Sequence, residues 1–377
     1  MSSFPTYGPE EIDALNGVAD AVLGVFKAHG YTRHEPAILQ PAQLFVDRSG
    51  EEIRRRTFEL TDPNGQELCL RPDLTIPTCK FQVESGAPYP ARLCYHGLAF
   101  RHQPGAGQFW QAGAELLGLG DRAAGDAEMM GLAAEAVRAG GVKDFSMIVG
   151  DLGLFHTLVD ALDVPVEWRG RLKRHVWRTG YFETLLARMV SGEGGAAERT
   201  VDVLAGLKLM ELKPAIETLI DREGDAPLGG RTRDEIIERL MVQACNDSTP
   251  RLDPGVAALI TAFLKVSGSG EAALEEIRTL TKPVAAKMVG PLAAMAARLH
   301  ALKANGIPPE KVRYVAHFGR NLEYYTGFVF EFWTRAGEVA GGGRYDTLLE
   351  SLGAPRGTTA IGCAFRTERL LAARALV

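Results

Sequence analysis

The sequence predicts an α+β fold, in which an antiparallel sheet is backed by helices and carries a helical insertion. Pairs of short apolar runs lie between residues 56 and 117, and the hairpin turn sequence Asp-Pro-Asn-Gly at 62–65 separates the first pair. Residues 154–302 are instead rich in Ala, Leu, Arg and Glu at helical spacing. Strand patterns return only after this stretch, so the order of elements favours antiparallel strands packed against helices.

The first predicted element is a helix over residues 10–28, because its apolar side chains recur at helical spacing and Gly30 follows as a C-terminal cap. Residues 31–46 come next, with Glu35-Pro36 before a short apolar run. Strands are then predicted at 56–60, 67–70, 92–100 and 109–117, and a helix at 126–139.

We predict that residues 166–300 form a helical insertion domain, and that residues 1–165 and 301–377 together form the core. Glycine-rich breaks divide the helical stretch at 192–195, 229–230 and 267–270. The remaining core strands are predicted at 145–149, 312–317, 326–332 and 338–340, and a final helix near Arg366.

Composition limits the class of protein. Of the 377 residues, 46% are hydrophobic and 24% are charged, which is typical of a globular protein with a large core. The net charge of −5 indicates no overall nucleic-acid-binding surface, and the polar N-terminus and the lack of long apolar runs predict a cytoplasmic protein without membrane spans. The five cysteines include no C-x-x-C pair, so we expect no disulfide framework, no metal site and no cofactor.

Several polar residues have the chemistry of a small-ligand site. On a strand over 109–117, alternation places Gln111, Gly113 and Glu115 on one face, and the small Gly113 leaves room for a ligand between the two polar side chains. Asp73 is an acceptor-only carboxylate, which suits an ammonium group. Each pattern alone is more typical of an amphipathic strand or a glycine-rich turn, and only their combination indicates a site.

Four segments, in chain order, resemble the histidyl-tRNA synthetase family. They are Leu70–Thr75, Phe109–Glu115, Arg320–Gly327 and Gly341–Asp346. The resemblance implies the class II aminoacyl-tRNA synthetase-like fold, which is an antiparallel sheet flanked by helices with a helical insertion. It also implies a homodimer formed through the first helix and the segment 31–46.

The same resemblance assigns roles within the site. Asp73, one methylene shorter than the usual glutamate of the family, would bind the amino group, and Arg320 would lie near the carboxylate. A tyrosine hydroxyl can donate to an imidazole or accept from it, which is the role implied for Tyr345. The histidine-binding residues implied by the resemblance are Asp73, Thr75, Gln111, Glu115, Arg320, Tyr324, Tyr325 and Tyr345.

The part of the site that would bind ATP departs from the family. Arg101 matches a family arginine, but the loop after it, residues 103–107, is shorter than the family loop and has neither arginine nor glutamate. Arg366 replaces a family glycine that lets the backbone approach a nucleotide, whereas Arg369 matches the family arginine. Arg101 and Arg369 are therefore either a residual nucleotide or anion site or partners in structural ion pairs.

The sequence ends seven residues after Leu370, and we therefore expect no anticodon-binding domain of the kind that a synthetase carries. With the altered ATP half, the chain resembles the regulatory subunits of ATP phosphoribosyltransferase. The resemblance implies a non-catalytic protein that forms a hetero-oligomer with a short catalytic subunit and is required for its activity. It also implies a part in feedback inhibition by L-histidine, in the first step of histidine biosynthesis, and no tRNA partner.

Two other functions stay open. The chain is alternatively a histidyl-tRNA synthetase, or another class II paralogue that uses ATP to ligate an amino acid to a protein or a small molecule. Both must activate an amino acid with ATP, and the altered loop and Arg366 argue against that step. The basic stretch 168–178 is either a patch for tRNA or a partner, or a solvated helix face.

Overall fold

Two sheets organise the part of the chain that the structure describes. The structure is a computed structural model, and it describes residues 5–46, 53, 55–103, 107–191, 213–218, 237, 251–320 and 324–375. The strands are β1 (Thr32–Arg33), β2 (Leu39–Pro41), β3 (Glu59–Thr61), β4 (Glu67–Leu70), β5 (Ala91–Phe100), β6 (Gln108–Leu117), β7 (Ser146–Asp151), β8 (Ser267–Ser269), β9 (Val312–Val315), β10 (Phe328–Thr334), β11 (Gly337–Arg344) and β12 (Ala360–Arg366).

The larger sheet, within the described ranges, has nine strands in the order β1-β5-β6-β12-β11-β10-β7-β9-β8. Its centre is antiparallel from β5 to β7, while β1 runs parallel to β5 and β9 runs parallel to β7. The smaller sheet has the order β2-β4-β3 and is antiparallel. The predicted α+β class is confirmed, with a sheet that is mixed at its two ends.

The helices cover the sheet with their apolar faces. The first helix buries Leu15, Val22 and Phe26, and Gly30 follows it with a φ of 83°, the left-handed conformation that favours glycine. The helices are α1 (Pro9–Ala28), α2 (Gln43–Val46), α3 (Thr75–Ser85), α4 (Arg122–Ala139), α5 (Leu152–Ala161), α6 (Val166–His175), α7 (Thr179–Ser191), α8 (Pro254–Lys265), α9 (Gly270–Leu280), α10 (Ala285–Ala304), α11 (Asp346–Ser351) and α12 (Thr367–Arg374).

The chain divides into two compact units. One consists of Met1–Leu158 with Ala262–Val377, and the other of Val159–Thr261. The sequence placed the end of the insertion at residue 300, whereas the structure places α9 and α10 in the same unit as the large sheet. Within the smaller unit, the basic stretch makes local contacts, since Lys173 pairs with Asp160 and Arg171 lies over the ring of Trp168.

A buried ion-pair network explains why α10 belongs with the large sheet. Arg298 on α10 donates from Nε to Asp126 on α4 and from Nη1 to Asp151 on β7, each at 2.8 Å. Arg344 at the end of β11 donates to the same Asp126 at 2.6 and 3.0 Å and to Asp346 at 2.9 Å. Asp126 is fully buried, so its charge depends on these two arginines.

Some elements differ from the prediction because distant partners define them. The short strand β8 lies in a sequence predicted as a glycine break, and β12, α3 and α11 were not predicted. The breaks predicted at 192–195 and 229–230, and Cys245, lie outside the described residues. The other four cysteines (Cys69, Cys79, Cys94 and Cys363) are buried free thiols. Along the described part of the chain, no helix combines the length and the apolar composition that crossing a bilayer requires.

Candidate functional site

A cavity of about 410 Å³ lies at the middle of the large sheet. Strands β6, β11 and β12 contribute its floor, and residues at the start of α3 and before β10 contribute its walls. Every site residue named from the sequence lines this cavity, although these residues span almost the whole chain. They are Asp73, Thr75, Arg101, Gln111, Glu115, Arg320, Tyr324, Tyr325, Tyr345 and Arg369.

Asp73 presents an unused acceptor to the cavity. Its Oδ1 accepts a hydrogen bond from the backbone N–H of Ile76 at 3.1 Å in the first turn of α3. Its Oδ2 is buried and has no hydrogen-bond partner among the described residues. Burial raises the pKa of the Asp73 carboxyl, although the charge of Arg101 opposes this shift. A buried carboxylate oxygen without a donor is a place where a cationic ligand would be stabilised.

Glu115 is fully buried at the other end of the polar lining. The hydroxyl of Tyr95 donates to its Oε1 at 2.8 Å, and the hydroxyl of Tyr345 donates to its Oε2. Burial raises the pKa of Glu115 to about 7, while the hydrogen bonds from Tyr345, Thr75 and Tyr95 pull it down. Glu115 therefore changes charge near neutral pH.

The hydroxyl of Tyr95 contacts polar side chains from both ends of the lining. Its hydroxyl lies 3.2 Å from Thr75 Oγ1 and accepts a long hydrogen bond of 3.4 Å from Gln111 Nε2. It also fills the space that the sequence reserved for a ligand. A Cβ on Gly113 would lie 2.5 Å from the Tyr95 hydroxyl and 2.6 Å from the Cys363 carbonyl, so this glycine makes room for Tyr95 and β12.

Arg320 is held by two carboxylates rather than left free for a ligand. Its Nη1 donates to Glu331 and its Nη2 to Glu338, each at 2.8 Å, and Gly341 leaves the space for its guanidinium. Its Nε is buried and has no partner among the described residues. The charge of Arg320 is therefore compensated by two carboxylates, and its Nε–H is a donor without a protein partner among the described residues.

Three tyrosines form the aromatic wall. The rings of Tyr324 and Tyr325 have centroids 4.8 Å apart, and Tyr324 meets Tyr345 edge-to-face at 5.7 Å. Tyr345 is 1% exposed, and Tyr324 and Tyr325 are also buried. Residues 321–323, which complete this segment of the resemblance, lie outside the described residues. The wall gives a flat ligand ring an apolar contact surface.

The opposite side of the cavity is rich in arginine. Arg369 donates to the carboxylate of Glu338 at 3.3 Å and to its carbonyl at 2.9 Å, so it is a partner in an ion pair. Arg101 donates from Nε to the carbonyl of Pro72 at 2.7 Å, and its guanidinium lies 5.3 Å from the centre of the Phe109 ring. The Arg366 guanidinium lies 3.4 Å from the centre of the same ring. Of the loop 103–107, residues 104–106 lie outside the described residues.

Sequence reasoning did not find three of the residues that shape this site. Tyr95 lies directly across the β5–β6 pair from Gly113, and a bulky residue opposite a glycine was the signal that could have identified it. Glu331 and Glu338 both face Arg320, but they lie on different strands and no local pattern joins them. Within the described ranges, no group of three or more His, Cys, Asp or Glu residues is placed to hold a metal ion.

Comparison with known proteins identifies the family. The model of the histidyl-tRNA synthetase family matches residues 4–236 and 235–370. The ATP phosphoribosyltransferase regulatory subunit of Chelativorans sp. (strain BNC1) is 34% identical over 380 residues, which cover 99% of this chain and 98% of that protein. That of Mesorhizobium japonicum is 35% identical over 365 residues, which cover 95% of this chain and 97% of that protein.

A solved structure confirms the class II synthetase-like fold. The ATP phosphoribosyltransferase regulatory subunit/histidyl-tRNA synthetase from Bacillus halodurans matches with a TM-score of 0.72 and 22% identity, and covers 99% of this chain and 82% of that one. Because relatives above 30% identity align over nearly the full length of both chains, this chain belongs to the family of ATP phosphoribosyltransferase regulatory subunits.

Proposed function

We propose that this chain is the non-catalytic regulatory subunit of an ATP phosphoribosyltransferase and that it binds L-histidine in the cavity between Asp73 and Glu115. The observation that carries the proposal is the pair of buried carboxyl groups in one cavity, one of which has an unpaired oxygen. A zwitterion with a second titratable group is the ligand that such a lining stabilises.

The Asp73 end suits the amino group. An ammonium has three donors and one positive charge, and the unpaired Oδ2 of Asp73 supplies an acceptor. Gln111 and Thr75 line the same end and can complete its hydrogen bonds. The Nε–H of Arg320 has no partner among the described residues, while both Nη atoms already bind carboxylates, so we propose that the ligand carboxylate accepts a single hydrogen bond from Nε.

The Glu115 end suits the imidazole. The pKa of Glu115 is about 7, close to the ordinary pKa of about 6.5 for an imidazole, so a proton is easily shared between the two groups. Tyr345 and Tyr95 fix the orientation of the carboxyl group, and Tyr324 and Tyr325 offer ring contacts. An aliphatic side chain would leave Glu115 buried without a ligand partner, which would favour histidine over other amino acids.

Regulation follows from binding linkage. We propose that a short catalytic subunit forms a hetero-oligomer with this chain and requires it for activity. If histidine binds more tightly to one arrangement of that assembly than to another, it shifts the assembly toward the favoured arrangement and lowers activity. Arg366 on the Phe109 ring supports the absence of amino-acid activation, since it occupies space that an ATP-dependent ligase would need.

Calorimetric titration tests the ligand. We expect the wild-type chain to bind L-histidine, and Asp73→Asn to bind it at least about tenfold more weakly, because a neutral amide replaces the charge-assisted acceptor. Asp13→Asn, an exposed change on α1, is the matched control and should bind normally. Histidine-dependent exchange of pyrophosphate with ATP, or failure of histidine to bind to the chain and to its complex, would contradict the proposal.

The homodimer implied by the resemblance is also part of the proposal. Three large apolar side chains at the small sheet are exposed: Ile38 just before β2 (45%), Leu39 on β2 (49%) and Leu60 on β3 (39%). Such a group of exposed apolar residues is unusual unless another protein surface covers it. We expect Leu39→Glu to shift the chain from dimer to monomer in analytical ultracentrifugation, because it places a charge on an apolar contact surface. Val289→Glu, on the exposed face of α10, should leave the dimer intact.

A further inference from the structure

Two arginines on one wall of the cavity take part in no ion pair among the described residues, although Asp73 acts electrostatically on Arg101, and Glu368 and Glu338 act on Arg366. Among the described residues, no carboxylate forms an ion pair with the guanidinium of Arg101 or with that of Arg366. Arg101 uses only its Nε, on the carbonyl of Pro72. Arg366 makes no hydrogen bond to the described residues and is held by its contact with the Phe109 ring. The two Nη groups of each guanidinium therefore have no hydrogen-bond partner among the described residues and can donate to a ligand in the cavity.

The carboxylates that form ion pairs on this wall are bound to other arginines. Arg369 and Arg320 share Glu338, and Arg320 also pairs with Glu331, so these carboxylates are already engaged. Burial and the positive charges of Arg101 and Arg369 lower the pKa of Arg366 to about 9, which means that the protein itself disfavours the charged form. Unpaired, partly buried and mutually repelling guanidinium groups are stabilised by a bound anion.

We propose that Arg101 and Arg366 form a subsite for a phosphate-type oxyanion, held between their guanidinium groups beside the amino-acid part of the cavity. Planar guanidinium groups donate two parallel hydrogen bonds to phosphate oxygens, which a lysine ammonium cannot do. Arg366 is the decisive member, because its guanidinium makes no hydrogen bond to the described residues and adds the second fork.

The position of Arg366 favours a compact anion over a nucleotide. Its guanidinium lies 3.4 Å from the centre of the Phe109 ring, so an aromatic base cannot stack on that face of the ring while Arg366 stays in place. The proposed ligand is thus an inorganic phosphate or pyrophosphate, or the phosphoryl group of a small metabolite. This subsite goes beyond histidine binding and does not depend on it.

Calorimetric titration of the full chain with pyrophosphate, phosphate and ATP, each without histidine, tests this subsite. We expect pyrophosphate to bind to the wild-type chain and to bind at least about tenfold more weakly to Arg366→Ala, because one of the two forks is lost. The matched control is Arg278→Ala, which removes one positive charge from an exposed ion pair with Glu275 and should not change binding.

Each outcome separates the possibilities. Equal pyrophosphate binding by wild type and Arg366→Ala, or an equal loss in Arg278→Ala, would overturn the subsite, and ATP binding more tightly than pyrophosphate would overturn the preference for a compact anion. A circular dichroism spectrum and a urea midpoint of Arg366→Ala that match those of wild type would establish that the variant is folded. If the wild-type chain bound pyrophosphate but not histidine, the proposed function would fail and the anion subsite would stand.

Discussion

Replacing Arg298 with alanine is expected to lower the free energy of unfolding by roughly 3–5 kcal/mol, which is the usual cost of removing one partner from a buried ion pair. Arg298 is 8% exposed and bridges Asp126 and Asp151 at 2.8 Å each. Its loss leaves Asp151 without a cationic partner among the described residues and removes the contact of the guanidinium with the Phe328 ring. Urea denaturation followed by circular dichroism would measure the change.

The control for this prediction is an arginine of the same charge in an exposed pair. Arg278→Ala on α9 removes the ion pair with Glu275, which is solvent-exposed, and should change the free energy of unfolding by less than about 1 kcal/mol. A similar small effect for Arg298→Ala would mean that the network does not join α10 to α4 and β7. The comparison therefore tests the place of α10 in the same unit as the large sheet.

The sequence predicted those elements whose signal is local. The β5–β6 pair was predicted nearly to its ends, because two adjacent apolar runs flank a short loop. The strand β12 was not predicted, since its short Gly-containing sequence becomes a strand only between β6 and β11, and Gly362 pairs with Glu115 far away in the chain. The boundary of the insertion depends in the same way on Arg298, whose partners lie more than a hundred residues earlier.

The candidate site also contains residues that the sequence could identify and residues that only their three-dimensional contacts define. The resemblance supplied residues such as Asp73, Glu115 and Tyr345, and the structure places all of them around one cavity. It did not supply their partners, because Tyr95 acts through cross-strand packing and Glu331 and Glu338 act through side-chain geometry around Arg320. Of the two interpretations left open for Arg369, its ion pair with Glu338 supports the structural one, while Arg101 bonds only through Nε to the described residues.

The second large effect is expected at Glu115. We expect Glu115→Gln to weaken histidine binding at least about 30-fold, which corresponds to roughly 2 kcal/mol for the loss of a buried charge-assisted hydrogen bond. The shape of the side chain is kept, and a tyrosine hydroxyl that loses its acceptor can accept from the new amide instead. Glu271→Gln, an exposed change on α9, is the control and should bind histidine normally in calorimetric titration.

Although Glu115→Gln should weaken histidine binding, it should make the ligand-free chain more stable relative to wild type as the pH rises. Burial raises the pKa of Glu115 from 4.5 to about 7, so between these values the folded chain binds more protons than the unfolded chain, and wild-type stability falls as the pH rises. A glutamine cannot ionise, so the stability of Glu115→Gln relative to wild type should rise by roughly 3 kcal/mol between about pH 4.5 and pH 8. Urea midpoints measured across this range would reveal the trend. If Glu115→Gln lost both histidine binding and stability at high pH, the variant would be misfolded. If it bound histidine more weakly but was more stable than wild type at high pH, the wild-type chain would be keeping a destabilising buried carboxylate for the sake of its ligand.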